Sequence, residues 1–520
     1  MTSARHDAGR DAIGSLVRVS ASGRSPRARR PGPIRHLGIL VVTAVFASAP
    51  LALAVPFDPN DSTHGFRTVS VRVALRTGGA LEGAVVEQTD HGVVIWRESV
   101  PYAIAWSDVE PASALAARRD VMVLARGGSD RLTGQDCFDL GAFCLRLGRN
   151  DLAAREFAEA RRLDPKLDGA IKAAYAAFRK ERETEKKKRS TPPFARGNES
   201  EPSEPAPQAA KNAIPVDLVG LDAHASNPEE EKALRARVLA VYHAFGAKVR
   251  DELGADIELV ETEHFLIWTD WEKAFRAELT DSLEAMFTSL RRRFSMDESQ
   301  SVFLAKCPVF AFRSKKRFID FARRFDGYDA TGSLGYTRSI ESNGHAHMTL
   351  LRSGHAPDDF DRFYCTLAHE GTHAFLHRAF STRLIPHWVN EGLADLSADH
   401  VLGDVCHRRA DANLLARAYV RNEWPIAKFL SFAGPIGVEH YPLACSVVDM
   451  LEQRNRDGLV DMVRRLKAGE SIEASLAGAF DGLSPEAMES DWRQWVRKAN
   501  PDLPAAPPAE TETQQRSAPR

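Results

Sequence analysis

His369-Glu370-Gly371-Thr372-His373, then Pro386-His387-Trp388-Val389-Asn390-Glu391-Gly392-Leu393-Ala394-Asp395, are the stretches on which the reading of this chain turns. The first sits in a segment with helical patterning from Pro357 to about Phe380. Asp358 and Asp359 open it, and Phe360, Phe363, Leu367, Gly371 and Phe375 mark its buried side. Residues four apart on a helix share a face, so the imidazoles of His369 and His373 can reach one zinc ion. Glu370 is offset by one position and falls beside the metal, where it can accept a proton from a bound water. Seventeen residues separate His373 from Glu391, enough for a turn and a second helix to return to the metal. A third protein ligand leaves the fourth tetrahedral position open, as catalytic zinc requires.

H-E-G-T-H followed by W-V-N-E-G-L-A-D resembles the gluzincin, or thermolysin-like, clan of metallopeptidases, and more closely its bacterial exported members. The resemblance implies one Zn2+ ion held by His369, His373 and Glu391, with Glu370 as general base and a peptide or protein as substrate. Asp395, one turn after Glu391, matches the carboxylate that orients the first histidine by accepting its free N–H. The motif match covers residues 360–400, and the order of elements is compatible from 257 to 497; the first 215 residues lie outside it. The spacing is shorter than in thermolysin itself, a departure from that subfamily. Related enzymes place a Tyr or His on the downstream helical lobe to stabilise an oxyanion. Tyr441, next to His440 at the start of a helix ending near Leu451, is the candidate here, and it reads equally well as a tyrosine packed at a helix start. The alternating stretch His345–Arg352 would be the edge strand against which an extended peptide pairs. A metzincin pattern fails, because Leu376 and Ala379 stand where it needs Gly and His. His377 continues the face of His373 one turn too far along. His387 and His400 flank the Glu391 helix as surface or supporting groups.

The fold class expected is α+β: a zincin-like domain over 216–499, with a small mixed sheet and the motif helix followed by a helical lobe. Its elements are a helix from Pro228 to Leu253, a strand at His264–Trp268, a long amphipathic helix through Phe275, Leu283 and Phe294, a strand at Pro308–Phe312 and a helix from Lys315 to Phe325. Upstream, residues 66–112 alternate Val69, Val71, Val73 and Leu75 with Ser70, Arg72 and Ala74, the period-two signature of a strand. Five short strands there predict an SH3-like barrel. Residues 130–179 resemble one tetratricopeptide repeat, with Leu140, Gly141, Gly148, Ala153, Phe157, Ala160 and Pro165 on that family's preferred positions. The helix Leu167–Arg179 would cap it. Such a unit implies either a protein-binding module or a structural spacer. Residues 180–213 and 500–520 are charged and Pro/Ser/Ala-rich, the composition of disordered linkers.

Residues 1–54 carry basic Arg24–Arg35, then an apolar run Leu37–Ala54 ending in Ala52-Leu53-Ala54. That reads as a secretory signal peptide or, given its length, as an uncleaved membrane anchor. Either predicts an exported chain: periplasmic, in the cell envelope or secreted. With 69 basic against 71 acidic residues among 520 and a formal net charge of −2, the sequence lacks the basic footprint of a nucleic-acid binder. Six cysteines in an exported chain permit disulfides, but no C-x-x-C occurs, and Cys137 and Cys144 lie two helical turns apart, about 10 Å, too far to bridge. Most are expected to be small buried hydrophobes. An alternative functional reading is a latent, non-catalytic envelope scaffold that binds peptides or protein partners.

Overall fold

The computed structural model describes residues 69–188 and 227–505, except 77, 99, 298–299, 341–343, 353 and 355–356. The expected leader (1–54) and most of the expected linker and tail fall outside the described residues. The architecture is mixed α/β, mostly helical, with two small sheets. Among the described residues no helix is long and apolar enough to cross a membrane.

The N-terminal sheet contains four strands: β1 (Ser70–Ala74), β2 (Ala80–Gln88), β3 (Gly92–Arg97) and β4 (Val100–Ala105). They form an antiparallel meander in that order, which corrects the expectation of a five-stranded barrel. The reason is visible in β3, where Gly92 to Trp96 are all buried. Val93 and Ile95 pack with Val71, Val73 and Trp106, whereas Val94 and Trp96 belong to the main core of the chain. A sheet covered on both faces has no need to close on itself.

The helix α1 (Pro111–Arg126) leads into a hairpin of α2 (Gly134–Arg146) and α3 (Asn150–Leu163). Thr133 and Asp136 form a reciprocal capping box at the start of α2. The next helix, α4 (Asp168–Lys188), packs on α2. Because α4 runs to Lys188, the first nine residues assigned to the linker are helical instead.

The second sheet is the frame of the candidate metal site. After α5 (Pro228–Leu253) come β5 (Glu258–Glu261), β6 (Phe265–Thr269), α6 (Lys273–Arg293), β7 (Cys307–Phe312), α7 (Lys315–Phe325), β8 (Gly335–Ile340) and β9 (His345–Leu351). The order is β5-β6-β7-β9-β8, with β6, β7 and β9 parallel and the two outer strands antiparallel. The central strands β6, β7 and β9 are buried along their whole length, as strands covered on both faces must be. Phe265, Ile267, Val309 and Met348 face α6 and the motif helix; Leu266, Trp268, Phe310 and Phe312 face α5 and α7. The strand at 345–351 is therefore interior, and the edge assigned to it from sequence belongs to β8. That strand escaped notice because Thr337, Arg338 and Ser339 interrupt any apolar alternation.

The motif helix is α8 (Pro357–Arg378), and a helical lobe follows: α9 (His387–Leu402), α10 (Arg408–Arg421), α11 (Ala427–Leu430), α12 (Tyr441–Arg454), α13 (Arg456–Ala468), α14 (Ile472–Ala479) and α15 (Pro485–Ala499). The N-terminal sheet docks on α10 and the turn after it: Trp96 lies 4.6 Å from Trp424 ring to ring, His91 Nε2 is 2.6 Å from Asp411, and Arg421 pairs with buried Glu87 at 2.7 Å. Residues 500–505, assigned to the tail, pack as well; Asp502 pairs with Arg417 and Leu503 is buried. Four cysteines are free and buried, as expected, but Cys365 and Cys406 form a disulfide with Cα atoms 5.5 Å apart. It joins α8, one turn before His369, to the segment that follows α9.

Closing a loop of 41 residues, this bridge is expected to add about 2–4 kcal/mol by restricting the unfolded chain. Urea unfolding of Cys406→Ser should show a correspondingly lower midpoint than the oxidised wild type. Equal midpoints would mean that the bridge contributes nothing.

Candidate metal centre

Helix α8 contributes His369 and His373 from adjacent turns of one face, and α9 packs against it and contributes Glu391. Two glycines permit this crowding. A Cβ at Gly371 would fall on the Met286 side chain of α6, and one at Gly392 would come within 2.6 Å of the Ala444 carbonyl oxygen on α12. With these positions bare, three side-chain atoms converge. His369 Nε2 and His373 Nε2 are 3.0 Å apart, and Glu391 Oε2 is 3.3 Å from the first and 3.4 Å from the second. All three residues are buried, and among the described residues they are the one group of this kind able to hold a metal ion.

The donor set fits a divalent cation. Two ring nitrogens and a carboxylate oxygen, all on buried side chains, converge on a common point, where they can serve as ligands once deprotonated. The flanking groups fix them. Asp395 Oδ1 lies 2.9 Å from His369 Nδ1, which leaves Nε2 turned to that point, and Arg408 Nε stands 3.3 Å behind Asp395. Thr337 of β8 donates its hydroxyl to Glu370 Oε2 at 2.8 Å, with the Glu370 carbonyl also 2.9 Å away. The other oxygen, Oε1, is buried and makes no hydrogen bond among the described residues. Tyr441, at the start of α12, lays its ring nearly parallel to His369 with centroids 6.5 Å apart.

Electrostatics follow from burial and these partners. Burial raises the Glu370 carboxyl, and the two histidines and Thr337 only partly offset it. For Glu391 burial also opposes ionisation, but His373, His369 and His387 outweigh it and hold the carboxylate well below its usual range. Burial disfavours the charged form of His369, yet its bonds to Asp395 and Glu391 carry it up to about 10. Burial and the neighbouring Glu391 push the Tyr441 phenol well above its ordinary value.

The sequence-derived residues His369, Glu370, His373, Glu391, Asp395 and Tyr441 thus come together at one place. His377 is buried on the same helix but outside the converging group, and His400 pairs instead with Glu452 at 2.7 Å. Thr337 and Arg408 were missed as parts of the site, whereas His387, expected as a surface or supporting group, takes the supporting place. It stands one helical turn before Glu391, and its Nε2 lies 3.0 Å from Glu391 Oε1. A cavity of about 140 Å³ opens beside His373 and His387, walled by Leu376, Leu384, Ile385 and Pro435. No family model matches the chain, and no curated protein matches it.

The bonds to Asp395 and Glu391 favour the protonated form of His369, so a metal that binds there must displace that proton. Calorimetric titration with Zn(II) at pH 7 in two buffers of different ionisation enthalpy is expected to give different heats, equivalent to release of about one proton. Buffer-independent heats would contradict this protonation state.

Proposed function

We propose that the chain is an exported zinc-dependent peptidase of the gluzincin type, with a zincin-like catalytic domain preceded by a docked β unit and a tetratricopeptide-like hairpin. The observation that carries this reading is the convergence of His369, His373 and Glu391 with Glu370 alongside, one oxygen anchored and the other bare. Zinc is the metal best suited to two imidazoles, one carboxylate and an open fourth position, where it supplies Lewis acidity and lowers the pKa of water to about 7.

The chain's own groups do the rest. Glu370 accepts the proton of the attacking water at Oε1 while Thr337 holds Oε2, then passes that proton to the leaving amine. A burial-raised carboxyl suits a group that must both take and return a proton. Tyr441 has a hydroxyl that remains protonated and can donate to the oxyanion that develops on the substrate carbonyl. Among the described residues the edge strand β8 has no strand partner on one side, and it carries Thr337 to Glu370, so an extended peptide adding to this edge would run past the proposed metal position. The apolar cavity beside His373 suits a medium-sized apolar side chain next to the scissile bond. Export is supported by the Cys365–Cys406 bridge, since structural disulfides persist in oxidising compartments.

Glu370→Gln is expected to retain zinc and to lower cleavage of a peptide library by at least about a hundredfold. Undiminished cleavage by the zinc-loaded variant would sink the assignment. Tyr441→Phe should lower kcat by about a hundred- to a thousandfold with KM little changed; an unaltered kcat would reduce Tyr441 to a packing role.

A further inference from the structure

His387 opens α9, one turn before Glu391, and is held from both sides. The backbone N–H of Ile436, in the segment before α12, donates to His387 Nδ1 at 2.9 Å. A ring nitrogen that accepts a hydrogen bond carries no proton, so the proton of the neutral ring resides on Nε2. That nitrogen lies 3.0 Å from Glu391 Oε1, at an angle bent away from the N–H axis, so the contact is an electrostatic approach more than a fully formed hydrogen bond. The other oxygen, Oε2, is the one facing His369 and His373. The ring edge also packs against Tyr441, with centroids 6.0 Å apart at 75°.

We propose that His387 is a positioning residue for the metal centre: through Nε2–H it occupies Oε1 of Glu391, so that the carboxylate presents Oε2 alone to the cation. The inference rests on the metal-centre reading above. Without a donor at Oε1, rotation about the last side-chain bond of Glu391 interchanges its oxygens and admits a bidentate arrangement, which would fill the position that catalysis needs open. His387 is not itself a fourth ligand. Its Nε2 does not join the converging group, and to coordinate it would have to move its proton to Nδ1 and leave the Ile436 N–H without its acceptor. Groups that hold a metal ligand from behind are typically worth ten- to a hundredfold in metal affinity, and the bent approach places His387 at the lower end, about tenfold.

Two variants separate this role from that of a loop tether. His387→Asn can still accept from Ile436 with its amide oxygen but is too short to reach Glu391; His387→Gln can place an amide N–H where Nε2 stands. The full chain is stripped of metal and reloaded, with Zn(II) affinity read by competition with a chromophoric chelator and ligand geometry by the visible spectrum of the Co(II) form. His387→Asn is expected to bind Zn(II) about tenfold more weakly with an altered Co(II) spectrum, and His387→Gln to stay within about twofold of wild type. The opposite ranking would show that the tie to Ile436 is what matters and would overturn the proposal, as would two variants indistinguishable from wild type. The melting temperature of each metal-free variant shows whether it has folded. Failure of the wild type itself to bind Zn(II) or Co(II) would be a different result, removing the metal centre and with it the premise.

Discussion

Glu391 is a carboxylate with no contact with solvent, lying within 3.4 Å of two imidazole nitrogens that point at the same place. Burying an ion costs several kcal/mol unless it is paired and hydrogen-bonded, and here Glu370 and Asp395 are buried nearby, adding negative charge. The surrounding structure answers that cost. Arg408 stands behind Asp395, Asp395 behind His369, and His387 faces the far oxygen of Glu391. A divalent cation at the convergence would complete the compensation, which is why the proposed metal centre accounts for this cluster better than an ordinary buried ion pair does.

The scaffold delivers these groups with little freedom. The three buried parallel strands fix α8 on one face of the sheet, and the bare positions Gly371 and Gly392 let α6 and α12 press against α8 and α9. The Cys365–Cys406 bridge ties the beginning of the ligand cluster to the segment that leads into Arg408. The N-terminal sheet extends the same core: Val94 and Trp96 enter it, and Glu87 and His91 pair with Arg421 and Asp411 of α10, the helix that begins with Arg408. What reads along the chain as a detachable module is in space a wall of the helical lobe.

The converging residues were legible because their geometry is local. His369 and His373 need only a helix, and Glu391 stands close enough in sequence for one turn to return it. Asp395 and Tyr441 were reached through resemblance, and the structure places both at the cluster. Sheet order was not legible: β8 is an edge strand whose polar residues hide its period, so its edge was assigned to β9, and Thr337 went unnoticed with it. The docking of the β unit did have a signal in the unbroken apolar run Val93-Val94-Ile95-Trp96, which marks a strand covered on both faces and not one wall of a small barrel. The cysteine pair had none, since nothing local joins positions 41 apart. Pairings of that kind are decided by the tertiary fold.

The proposed occupant of His369, His373 and Glu391 is one zinc ion. Anomalous diffraction from crystals of the purified chain, recorded on both sides of the zinc absorption edge, tests it directly. A single strong peak is expected at these three side chains above the edge, and it should vanish below it. No peak there, or a zinc peak at other residues with this cluster empty, would contradict it.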